Sequence, residues 1–181
     1  MNDIKRFLLR VDHLLFAPIV RLIYPKYKRR YSYKLNIKVI LHYAILQKFI
    51  GFNRSVPWPV HFTSSVLCAD RIEKGDNCDP GDSPANYIQA FNGIKFGSTI
   101  ELGPGVKIIS ANHDTSDFLK SKKERPIEIG SNTWIGANSV ILPGIHIGEH
   151  VVIGAGSIVT KDIPSNSVAA GNPCKVIRKL D

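Results

Sequence analysis

Residues 129–164 read IGSNTW IGANSV ILPGIH IGEHVV IGAGSI VTKDIP, with a branched aliphatic residue at every sixth position: Ile129, Ile135, Ile141, Ile147, Ile153 and Val159. Gly follows at 130, 136, 148 and 154, and Thr133, Ser139, Val151 and Ser157 stand four places after the aliphatic. Neither a helical period of 3.6 nor a strand period of 2 generates this spacing. A unit of one short strand plus one tight turn does, if three units close a triangular coil whose strands stack about 4.8 Å from those of the next. The glycines are read as turn residues, and the small residues as those that fit a crowded interior. The predicted fold class is therefore all-β, a parallel β-helix shaped as a triangular prism. The period alone leaves its handedness open.

Working upstream, the same period passes through Ile108, Leu102, Phe96 and Ala90, then Pro84, Cys78, Ile72, Val66 and Val60. This divides the repeat into three coils over 60–113, a break at 114–128, and two coils over 129–164. In the first coil, Asp70, Asp76 and Asp82 fall at inward positions, where unpaired carboxylates are costly. Looping is expected there, and the turn-rich GDNCDPGDSP at 75–84 agrees. The predicted organisation is an arm over 1–55, the β-helix over 56–164 with a protruding loop at 114–128, and a tail over 165–181.

Charge separates the arm from the rest of the 181-residue chain. Residues 1–54 carry 12 basic and 2 acidic side chains, whereas 55–181 carry 12 basic and 13 acidic. Ile4, Phe7, Leu8, Val11, Leu14 and Leu15 recur at helical spacing, and Pro18 is expected to end or kink that helix. A second helix is predicted from Ile37 to Ile50, before Gly51. Between them Lys26, Lys28, Arg29 and Arg30 alternate with Tyr24, Tyr27, Tyr31 and Tyr33. Two readings of 1–54 stay open: peripheral contact with an anionic membrane, or a cap on one end of the stack. A nucleic-acid partner is not expected, because no zinc-finger or RNP motif accompanies the basic residues. No apolar run reaches the ~20 residues of a membrane span, and Asp12 and His13 interrupt any secretory signal, so a cytoplasmic protein, peripheral at most, is expected. Cys68, Cys78 and Cys174 form no C-x-x-C pair and read as reduced thiols.

The hexads, together with the closing GAGSIVTKDIPSNSVAAGNPCKVIRKL, resemble the left-handed β-helix acyltransferases, especially the galactoside and maltose O-acetyltransferases. The Asn112–His113 pair also resembles the xenobiotic acetyltransferases. The likeness covers about 84–181 and extends to polysaccharide O-acetyltransferases of envelope biosynthesis. It implies left-handed coils, a homotrimer with a site at each subunit interface, acetyl-CoA as co-substrate, no metal, and a sugar or glycan hydroxyl as acceptor. His113, the last residue before the loop, matches the family's catalytic histidine. An imidazole suits the task, since it can take the hydroxyl proton and return one to the departing thiolate at neutral pH. Asn92 in AFNGI resembles a polar residue of the acceptor site, although Ala90 departs from the family's neighbouring Asn. Asn86, Asn112 and Asp114 are further acceptor-site candidates.

For coenzyme A, the resemblance places Ala137 and Ala155 against the pantetheine arm, Thr160 and Lys161 near the pyrophosphate, and Lys175 and Arg178 toward the nucleotide phosphates. Lys175 replaces an Arg of the galactoside enzymes, keeping the charge without the forked geometry. Trp134 is assigned either to the thioester channel or to packing against a neighbouring subunit. Three alternatives remain: a serine, amino-sugar or xenobiotic acceptor, a non-catalytic trimeric membrane platform, and a carbonic-anhydrase-like zinc site built from His113, His146 and His150.

Overall fold

The computed structural model describes residues 3–28 and 35–181. Helix α1 (Asp3–Ile23) leads to a short α2 (Asn36–Val39), which widens into a π-helical run over Ile40–Ile50. Pro18 lies inside α1 without ending it, because the turn beyond it is held by burial of Val20 and Tyr24 against Val39, Tyr43 and Ala44. The predicted second helix is present, but wound wider than α. Gly51 closes it at φ +109, its amide donating to the Leu46 carbonyl five residues back. Arg29, Arg30, Tyr31 and Tyr33 fall outside the described residues.

The remainder is a left-handed parallel β-helix of three sheets. The first holds β1 (Ser65–Leu67), β3 (Tyr87–Gln89), β6 (Lys107–Ile109), β9 (Val140–Ile141) and β12 (Ile158–Val159). The second holds β2 (Ile72–Lys74), β4 (Ile94–Phe96), β7 (Ile127–Ile129) and β10 (His146–Ile147). The third holds β5 (Ile100–Leu102), β8 (Thr133–Ile135), β11 (Val151–Ile153) and β13 (Ser167–Ala170), and ends in the antiparallel β14 (Lys175–Lys179). Ile88, Ile108, Ile141 and Val159 stack as one fully buried column, and Phe96, Ile129 and Ile147 stack as part of another buried one. Each such side chain withdrawn from water contributes roughly 1.5–3 kcal/mol. Ser139, Thr133 and Ser157 are buried two residues before their aliphatics, as the spacing requires.

Coil length is where the structure departs from the sixfold count. Ile141 pairs with Val159, a coil of 18 residues, and Ile108 with Ile141, which is 18 plus the expected excursion of 15. Ile88 pairs with Ile108 and Val66 with Ile88, so the upstream coils are longer, at 20 and 22 residues. The residue facing Ile108 is therefore Ile88, while Ala90 belongs to the following corner and Pro84 lies exposed. Looping of the first coil is confirmed. Its buried carboxylate is Asp79, which Lys74 neutralises at 3.2 Å.

The glycines that directly follow the aliphatic residues are not the left-handed turn residues of the repeat. Gly136 does not adopt positive φ; a Cβ there would stand 2.5 Å from the Ala155 nitrogen of the next coil. Its role is close approach between coils. The left-handed turn residue comes two places later in each unit, at Asn132, Asn138, Gly144, His150 and Gly156.

The arm closes the first end of the prism. Gln47, buried, accepts from the Tyr24 hydroxyl at 2.9 Å and the Val60 amide at 3.0 Å, and donates to the Val56 and Trp58 carbonyls. Trp58 is fully buried over the core and donates its indole N–H to the Pro80 carbonyl.

Candidate active site

The three edges of the prism are unequal. Along the edge between the first and second sheets, the segments between register-matched core residues are 67–71, 89–93 and 109–126, all longer than the three residues 142–144 of the regular coil. Stacked, they form a raised wall. Arg71 donates to the Phe91 carbonyl at 2.6 Å, and the Asn92 amide donates to both Ser110 O and Lys122 O, at 2.9 and 3.0 Å. A cleft of about 640 Å³ runs beneath the wall, lined among others by Arg71, Phe91, Asn92, Lys95, Lys123 and Glu124.

The loop is a hairpin rooted at His113. The Lys122 amide donates to Asn112 O at 2.7 Å, His113 bridges Ser121, and the Asp114 amide donates to Lys120 O at 2.8 Å. Among the described residues, the exposed His113 imidazole has no hydrogen-bonding partner. Asp114 turns its carboxylate onto Ser116, whose hydroxyl and amide hold it below the ordinary carboxylate range. The far limb is tied down by Arg125, which donates to the Gly144 carbonyl and to both Asp162 oxygens at 2.7 Å. Partial burial pushes the Asp162 carboxyl up, but the His146 amide and the Arg125 guanidinium outweigh it, and the net displacement is downward. Nothing in the sequence flagged this pair, since 37 residues separate its members.

The predicted residues fall into separate groups. Asn92, Asn112, His113 and Asp114 share the raised edge, and Thr160 and Lys161 lie farther along it, on the last coil. Asn92 spends its amide donors on holding the loop. Asn86 is inside the prism, its amide donated to Gly103 O at 2.9 Å, and it contributes nothing to the outer surface. Ala137 and Ala155 stack at a different edge, between the third and first sheets, where the Gly156 amide donates to Ala137 O. The 171–174 turn continues that edge and delivers Lys175 at the start of β14, with Arg178 further along the strand. Trp134, 57% exposed, stands on the outer face of the third sheet between Glu101 and Val152. His146 faces Glu128 on the second sheet, and His150 meets Asn166 at the edge beyond it, so neither joins His113 within the chain.

A family model for the bacterial transferase hexapeptide (six repeats) matches residues 126–161, which contain β7 and all but the last three residues of the two regular coils. This chain is a hexapeptide-repeat protein. The hexapeptide-repeat protein is 47% identical over 142 residues to the galactoside O-acetyltransferase of Escherichia coli, an alignment covering 73% of this chain and 64% of that one. It is 46% identical over 91 residues to the galactoside O-acetyltransferase of Lactococcus lactis, covering 49% and 44%. It spans less than two thirds of the length of these curated relatives. The crystal structure of a maltose O-acetyltransferase from Clostridium difficile superposes with a TM-score of 0.60 at 28% identity, over 96% of this chain and 89% of that one. An N-acyltransferase from Bacillus cereus shares the fold at 19% identity, with a TM-score of 0.56 over 68% and 80%.

Proposed function

We propose that this hexapeptide-repeat protein is an acetyltransferase that moves an acetyl group from acetyl-CoA to a hydroxyl of a sugar or glycan, with His113 as general base. The observation carrying this reading is the placement of His113, whose unengaged imidazole stands where the tidy coil gives way to a wall of long corners. The activities for which the galactoside and maltose relatives are named support the choice of acceptor. An envelope polysaccharide precursor is the proposed physiological acceptor.

In the proposed step, a ring nitrogen of His113 takes the proton of the acceptor hydroxyl as its oxygen attacks the thioester carbonyl. The tetrahedral adduct collapses with cleavage of the C–S bond, and the imidazolium returns its proton to the CoA thiolate. No acyl group passes through the protein. Positioning supplies much of the rate, and the base contributes about 10²–10⁴-fold.

The site requires two copies of the chain. His113, Thr160 and Lys161 lie on one edge, and Ala137, Ala155 and Lys175 on another, with the width of the first sheet between them. A crevice bounded by both groups forms when the edge of one prism lies against the other edge of a neighbour, as a closed trimer arranges three times over. The small corners at Ala137 and Ala155 admit a pantetheine chain at close range, and Lys175 and Arg178 provide cationic partners for phosphate.

The test is thiol release from acetyl-CoA against galactosides, maltose, amino sugars, serine and chloramphenicol. Release with sugar hydroxyls, lost in His113→Ala, is the expected result. Release only with serine or amine acceptors would overturn the acceptor assignment.

A further inference from the structure

The geometry points to the outward face of α1 as a docking surface for an anionic lipid bilayer. The helix is apolar on two opposite sides. On one side Ala17 is buried, and Val20, with Tyr24 just past the helix end, packs into the arm's own small core. The other carries Ile4, Phe7, Leu8, Val11, Leu14, Leu15, Ile19 and Leu22, which recur at intervals of three and four and remain 36–85% exposed. The stripe visible in the sequence is thus the outward one, and capping of the prism is done by other residues. A patch of this extent marks a contact surface.

Charge decides the occupant. Arg10 and Arg21 are exposed on one flank of the stripe, and Lys26, Lys28 and Lys38 are exposed elsewhere on the arm. Of the two acidic residues in 1–54, Asp12 is buried, accepting from the Asn36 amide at 2.7 Å, the Asn36 side chain and the Ile37 amide. Its charge is turned inward, and the surface left outside is cationic. A second copy would bring the same positive arm against itself, which opposes association. An anionic interface satisfies both features, with apolar side chains at the acyl boundary and basic ones among the headgroups. No described helix is long and apolar enough to cross a membrane, so the helix would lie in the surface plane.

This inference is independent of the acyl-transfer reading. Its test is co-sedimentation of the full chain with vesicles of phosphatidylcholine alone and of phosphatidylcholine with one quarter phosphatidylglycerol, in low and high salt. The expected partition is at least tenfold stronger on the anionic vesicles, weakened by salt, and reduced at least tenfold by Phe7→Glu combined with Leu14→Glu. Circular dichroism of that variant should match the parent, because both side chains point away from the arm's core. Absence of binding by the parent chain, or equal binding to neutral and anionic vesicles, would overturn the proposal. So would a fall in particle mass by light scattering in the variant with no vesicle binding by the parent, which would assign the stripe to a second copy.

Discussion

Arg125 clasps both carboxylate oxygens of Asp162 at 2.7 Å, joining the end of the excursion to the last coil of the prism. Both side chains are about half exposed, so the pair adds at most about 1 kcal/mol to global stability. Its consequence is local. Arg125→Ala should leave the melting temperature nearly unchanged while accelerating proteolytic cleavage within 114–124, read by limited digestion and mass spectrometry. Unaltered cleavage would show that the loop is held without this pair.

The same contact carries a pH dependence. Asp162 is depressed in the folded chain, so its stabilising contribution is complete above the unfolded carboxylate value of about 3.9 and is lost as pH falls through the lower folded value. Arg125 stays charged throughout. Amide exchange in 112–122, corrected for intrinsic rates, should therefore be protected at pH 5–7 and gain speed below about pH 4. In Asp162→Asn that acid-dependent step should disappear.

Gln47 links three parts of the chain through one buried side chain. Replacing it with Leu leaves the Tyr24 hydroxyl, the Val60 amide and the Trp58 carbonyl without their partner, while the Val56 carbonyl keeps the Lys48 ammonium at 2.8 Å. An unsatisfied buried group costs roughly 1–3 kcal/mol, and urea unfolding should show a loss of at least about 2 kcal/mol. A loss below about 0.5 kcal/mol would mean that water replaces these bonds.

Gly136→Ala tests the spacing between coils. A methyl group there must push the Ala155 backbone away, since the ideal position is 2.5 Å from its nitrogen. The variant should be destabilised by about 1–3 kcal/mol, whereas Ala155→Ser, on an exposed corner, should be neutral. Equal stability of the two would contradict the close-approach role.

The legible parts of the fold were those governed by stacking. From Phe96 onward each coil inherits its register from the one beneath it, so Ile129, Ile135, Ile141 and Ile147 announced their columns through spacing alone. The 15-residue excursion could be counted because the register resumed after it. The first coil resisted because corner length is not constrained by the interior: two extra residues at 89–93 leave Ile88 and Ile94 buried and merely displace the count. Asp79 escaped notice because its partner Lys74 is set by a fold-dependent corner. At the site, His113 stood out through its motif and its place before the loop. The functions of Asn92 as a loop anchor and Asn86 as an interior residue depend on which way a corner turns, and a single sequence carries no signal for that.

In the proposed trimer one active site is assembled from the His113 edge of one subunit and the Ala155 edge of the next. Co-expressing His113→Ala with Ala155→Trp, each inactive alone, tests it directly through acetyl-CoA-dependent thiol release. Random mixed trimers should recover about one quarter of the wild-type activity, because that share of the interfaces pairs an intact histidine edge with an intact small-residue edge. Mixed trimers no more active than the two separate variants would contradict a shared site and place the whole reaction within a single chain.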